Sequence, residues 1–168
     1  MKNLSNKNEI NIELKFQTDH QPQSDTNCYV TSILDLTGGV DNFWINKMDN
    51  KLRNQIKKSL ENNLSFNSKH DVKNFYAVYR MTMKRLGTPC HSLGFFEQIN
   101  SQFPKNVKIM SAYLEGKITG SLFLFTFKDK VYDIWGANDS GFFKIKSNIF
   151  LYWNVIEDCI FNNYSFFD

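Results

Sequence analysis

Two very short polar turns constrain this chain more than any other feature. Glu115-Gly116-Lys117 and Lys128-Asp129-Lys130 separate three β-rich runs at residues 107–114, 121–127 and 131–135. Turns this short join only antiparallel neighbours, because a parallel pair needs a crossover of a dozen residues or more. An antiparallel meander is therefore expected in the middle of the chain.

The flanking segments carry the opposite periodicity. From Asp41, a candidate N-cap, apolar residues recur at Trp44, Ile45, Met48, Leu52, Ile56 and Leu60, the spacing of one helical face, until Asn62-Asn63 ends the segment. Asp71 opens a second helix with the stripe Val72, Phe75, Tyr76, Tyr79, Met83 and Leu86, stopped by Gly87-Thr88-Pro89. A shorter helix is expected over 93–103. The last helix, about 148–163, carries Ile149, Tyr152, Trp153, Ile156 and Ile160 on one face, and residues 164–168 begin a further strand. Earlier, residues 8–16 and 27–36 read as two strands separated by a polar loop, and residues 64–68 as a short strand. Strands and helices in this order define a mixed α/β (α+β) layer architecture.

Composition agrees with a folded domain. With 42% hydrophobic and 15% aromatic residues, sixteen of them Phe, and only three prolines and eight glycines, collagen-like and disordered classes are excluded. The formal net charge of +3, with seventeen Lys against three Arg, falls short of the concentrated positive stripe of a dedicated nucleic-acid binder. Cys28, Cys90 and Cys159 are odd in number and far apart, so neither a disulfide framework nor a zinc site is indicated, and a reducing cytoplasm fits. The polar N-terminus has no apolar h-region, and no apolar run is long enough for a membrane span.

The order of elements is that of the GNAT acyltransferase core, and particular residues sharpen the likeness. Phe75-Tyr76 through Met81-Thr82, Leu86-Gly87-Thr88-Pro89, Trp135-Gly136-Ala137, Asn148 with Leu151-Tyr152-Trp153, and Phe166-Phe167-Asp168 together resemble the FemAB-like branch of that superfamily, over roughly residues 27–168. The branch includes aminoacyl-tRNA-dependent transferases that build peptidoglycan bridges and relatives linked to exopolysaccharide. The resemblance implies a central, mostly antiparallel twisted sheet flanked by helices. It divides the chain into the terminal strands of a first GNAT-like unit (1–36), a bridging helix (37–63) and a second core (64–168) that is incomplete at its C-terminus. It also implies N-acyl transfer to an amine of a cell-envelope or polysaccharide precursor, on the cytoplasmic side or at the inner face of the membrane.

By the same likeness the reactive cleft lies where strands four and five splay apart, near Trp135, Gly136, Ala137, Asn138 and Asp168. Tyr152 offers a hydroxyl as proton donor and Asp168 a carboxylate as base. Asn148 would line the cleft, and Lys51, Arg53 and Lys57 on the bridging helix would hold tRNA phosphates or a lipid- or nucleotide-linked precursor. No resident cofactor or metal is expected. Acyl-CoA is the less favoured donor, because residues 136–144 lack the glycine-rich pyrophosphate signature and Asp139 would repel a pyrophosphate, so aminoacyl-tRNA is expected instead. Blander roles compete at each position: Trp135, Tyr152 and Trp153 as packing residues, Gly136 as a bend, the basic residues as a solvated face. Cys90-His91 lacks a third orienting group, and His20 and His70 lack ligand-spaced companions. Two rival functions stand beside the first. One is a CoA-dependent GNAT acetyltransferase. The other is an inactive remnant or one subunit of a split transferase, whose last strand would leave an open sheet edge for a partner chain.

Overall fold

The computed structural model describes residues 31–168, and Ser32–Asp168 form one compact unit. The expected strand at residues 8–16, and the first part of that at 27–36, lie outside the described residues. Among the described residues six strands, β1 (Leu34–Asp35), β2 (Leu64–Asn67), β3 (Val107–Leu114), β4 (Lys117–Phe127), β5 (Lys130–Asn138) and β6 (Phe166–Phe167), form one sheet in the order β1-β6-β5-β4-β3-β2. Only β5 and β6 run parallel. The expected meander is β3-β4-β5, closed by two-residue turns in which Glu115, Gly116 and Lys128 adopt positive φ. At Gly116, with φ of 78°, glycine meets that requirement without a Cβ penalty.

Helices cover both faces of the sheet. On one face, α3 (Val72–Leu86) and α4 (Leu93–Gln102) bury Phe75, Val78, Tyr79 and Phe96 against Val107, Ile109, Phe123 and Ala137 of the sheet. Asp71 caps α3 by accepting from Asn74 N–H at 2.9 Å, and Gly87 ends it in the left-handed conformation. On the other face, α5 (Ser147–Phe161), α1 (Gly39–Asn42), a following π-helical turn (Phe43–Lys47) and α2 (Asn50–Leu60) pack over Met110, Leu122, Leu124 and Val131. Each face buries apolar area at about 25 cal/mol per Å².

Three expectations are corrected. The bridging helix is not continuous from Asp41 to Leu60: the chain is extended at Met48 and Asp49, and Asp49, not Asp41, caps α2 by accepting from Leu52 N–H at 2.6 Å. The 3.6-residue pattern runs across this break, so periodicity alone conceals it. It also misassigns the inner face, since Phe43 and Ile56 are buried whereas Ile45, Leu52 and Leu60 are exposed. The expected open edge at the last strand is absent too, because β6 lies inside the sheet, hydrogen-bonded between β5 and β1. On α5, by contrast, the five expected stripe residues all lie in or against the core. The deepest residues of the helix are Leu151, Val155 and Cys159, while Tyr152 sits at the margin of the buried face. A side chain at that margin can keep a polar partner, which one at the centre cannot.

Candidate active site

The site is built by a bulge. In β5, Trp135 pairs with Phe123 but Asp133 pairs with Leu124, leaving Ile134 as the extra residue. Strict alternation would send Asp133 to the same face as Trp135 and Ala137. The inserted residue reverses that, so Asp133 and Gly136, three positions apart, both face α5, opposite Leu124 and Leu122.

Tyr152 comes down on this pair from α5. Its hydroxyl donates to Asp133 Oδ2 at 2.6 Å, and its ring lies edge-on to Phe167 at 6.4 Å. Gly136 leaves the approach open: a Cβ there would stand 3.2 Å from Leu122 Cδ2 and 3.3 Å from the Tyr152 hydroxyl. Gly136 itself is exposed and Tyr152 is half-buried. The second carboxylate oxygen, Asp133 Oδ1, is buried without a hydrogen-bond partner among the described residues. Burial pushes the Asp133 carboxyl above its ordinary range, against the smaller opposing effect of the Tyr152 hydrogen bond. Burial and the neighbouring carboxylate push the Tyr152 phenol well above its ordinary value, so it is neutral at physiological pH.

The residues expected at the cleft fall into separate places. Tyr152 and Gly136 come together, with Asn148 one helical turn before Tyr152 on the same side of α5. Asn138 ends β5 on the α5 side, where its buried Oδ1 occupies the place a Gly120 side chain would need. Its backbone is tied to Thr82 of α3. Trp135 and Ala137 are on the opposite face. Trp135 stands against Phe95, Phe96 and Phe123 with ring centroids 5.2–5.6 Å away, in the aromatic core. Asp168 lies beside Asp133, its carbonyl accepting from Asp133 N–H at 2.8 Å and its N–H donating to Val131 O at 2.9 Å. Lys51 and Lys57 are exposed on α2. Arg53 instead turns back to donate to the carbonyls of Trp44 and Ile45, satisfying acceptors that the broken helix leaves open.

Asp133 is the residue that sequence reasoning missed. Its only local signal is its place three residues before the glycine, and that carries meaning only once the bulge is known. The loop after β5 is equally specific. Asp139 accepts from Gly141 N–H at 2.9 Å, so its own carboxylate takes an amide that a pyrophosphate cradle would present to the ligand. A shallow cavity of about 570 Å³ adjoins this loop, lined by Asn74, Tyr113, Lys117 and Phe142 among others.

The family model for the acetyltransferase (GNAT) domain matches residues 46–168, and the chain belongs to that family. Its fold is FemAB-like. The crystal structure of FemX superposes with a TM-score of 0.72 at 11% identity, covering 81% of this chain and 51% of FemX. L-PGS from Bacillus licheniformis gives 0.57 at 13% identity, covering 80% of this chain and 42% of its own length. An aminoglycoside acetyltransferase from an uncultured soil metagenomic sample, in complex with sisomicin, gives 0.53 at 16%, covering 63% and 76%. The chain thus spans about half the length of FemX and less of L-PGS. No protein with a curated description matches the sequence. Among the described residues no helix is long and apolar enough to cross a membrane.

Proposed function

We propose that this chain is a FemAB-like N-acyltransferase that moves an aminoacyl or acyl group from aminoacyl-tRNA to an amine of a cell-envelope or polysaccharide precursor. In such a step the amine nitrogen bonds to the acyl carbon, the donor's ester C–O bond breaks, and one proton passes from nitrogen to the leaving oxygen. The protein's part is positioning and proton handling at the β5–α5 seam.

The observation that carries the choice of donor is the Asp139 carboxylate seated on the Gly141 amide. A diphosphate placed there would meet a negative charge and an amide already engaged, which weighs against acyl-CoA. The fold likeness to FemX supports the same reading, and a site of work at the inner face of the membrane accords with an envelope acceptor. Exposed Lys51 and Lys57 would add sequence-independent attraction for tRNA phosphates.

The purified chain should transfer label from a mixture of ¹⁴C-aminoacyl-tRNAs to an amine-bearing muropeptide precursor, and should leave acetyl-CoA untouched. Turnover with acetyl-CoA and no tRNA would replace this reading with a CoA-dependent acetyltransferase.

A further inference from the structure

We propose that Asp133 is the proton acceptor standing behind Tyr152, so that the phenol oxygen takes the proton of the attacking amine only as it passes its own to the carboxylate. This rests on the acyl-transfer reading above and reverses the expected direction of Tyr152, from proton donor to proton relay.

The direction of one hydrogen bond decides it. A phenol has a single proton, and that of Tyr152 is committed to Asp133 Oδ2 at 2.6 Å. What the oxygen offers to a group that reaches it is therefore a lone pair. Gly136 lets the strand backbone come close to the phenol, since a Cβ there would stand 3.3 Å from the hydroxyl and 3.2 Å from Leu122 Cδ2. The carboxylate behind is poorly solvated, with Oδ1 buried and unpartnered among the described residues. Its burial favours the protonated form, while the phenolate is disfavoured both by burial and by the carboxylate itself. The proton consequently comes to rest on Asp133 and not on nothing, leaving Tyr152 neutral before and after.

The step balances. As the C–N bond forms and the donor C–O bond breaks, the amine proton goes to the Tyr152 oxygen and the Tyr152 proton to Asp133 Oδ2. Asp133 then releases a proton to solvent as the leaving oxygen takes one up. Around the pair, β4 offers Leu122 and Leu124 and β6 offers Phe167, while Asp168, which follows β6, is hydrogen-bonded through its backbone to Val131 and Asp133. On β5, Lys130 lies over the Phe166 ring. Further along α5 are Glu157, raised by burial, and Asp158, paired with Lys108 of β3 at 3.4 Å.

Asp133→Asn separates proton acceptance from orientation, because the amide oxygen can still accept from the phenol but cannot take its proton. With the aminoacyl-tRNA and muropeptide assay, kcat should fall about 100-fold or more. Adding Tyr152→Phe should cost nothing further, as for residues acting as a unit. An Asp133→Asn variant with the wild-type rate would reduce Asp133 to an orienting group and overturn the proposal. Absence of transfer by the wild type would remove the acyl-transfer reading and the proposal together. A readout without substrate runs in parallel: in the full chain labelled with ¹³C-carboxyl aspartate, the Asp133 signal, assigned by its loss in Asp133→Asn, should titrate above the ordinary carboxylate range. It should move higher still in Tyr152→Phe, which removes the hydrogen bond that lowers it. A signal indifferent to Tyr152→Phe would show that the pair is not bonded in solution and would also overturn the relay.

Discussion

The two faces of the sheet are built for different ends. Beneath α3 and α4, Phe75, Phe96, Phe123 and Trp135 interlock with ring centroids 5.0–5.5 Å apart. Beneath α5 the core is mainly aliphatic and its margin admits a phenol–carboxylate pair, an ion pair and the bare backbone of Gly136. Edge-to-face aromatic packing adds stability beyond its buried area. A buried carboxylate costs stability unless hydrogen bonds compensate it. The aromatic face therefore holds the sheet still, while the other face carries the half-buried polar pair of Tyr152 and Asp133.

Three changes would break or sharpen that contrast. Removing a ring from the aromatic face should have the largest effect on stability. Phe96, fully buried among Phe75, Tyr79, Phe123 and Trp135, should lose about 3–5 kcal/mol when changed to Ala, measured by urea unfolding. A loss below about 1 kcal/mol would mean that the aromatic cluster is not the anchor. On the α5 face, Gly120→Ala drives a Cβ to 2.5 Å from Asn138 Oδ1 and 3.3 Å from both Ala137 O and Leu151 Cδ2. Overpacking of that kind should cost about 1–3 kcal/mol in the same experiment. An unchanged midpoint would show that the seam between β5 and α5 is loosely filled.

The smallest effect concerns pH. The Asp133 carboxyl is raised in the folded state, so its favourable contribution is complete below the unfolded value of 3.8 and is lost as pH rises through the higher folded value. Asp133→Asn has no such loss. The melting temperature of Asp133→Asn relative to wild type should therefore climb as pH passes upward through that window. A difference that stays flat from pH 3 to pH 8 would place Asp133 in a solvated setting and erase the contrast between the faces.

Much of the scaffold was legible from local chemistry. The short turns determined an antiparallel meander, Asp71 and Gly87 bounded α3, and the order of elements pointed to the GNAT class. These features depend on neighbours in sequence: a turn needs its own positive φ, and a cap binds amides two or three residues on. Where the reading went astray, a nonlocal term had overridden a local one. The break at Met48-Asp49 is hidden inside an unbroken helical period, and Arg53 stabilises it by reaching back nine residues to Trp44. The place of β6 between β1 and β5 depends on strands far apart in the chain.

The site divides the same way. Sequence singled out Tyr152, Gly136 and the Asp139 loop, each from its residue type and its position in an ordered motif set. It grouped Trp135 and Ala137 with them, because adjacent letters say nothing about which side of a sheet each faces. The tertiary structure decided that one extra residue, Ile134, reverses the alternation of β5 and turns Asp133 toward Tyr152, nineteen residues away. A period of two is so short that a single inserted residue exchanges the faces of everything beyond it. Only the pairing with β4 fixes where that insertion falls.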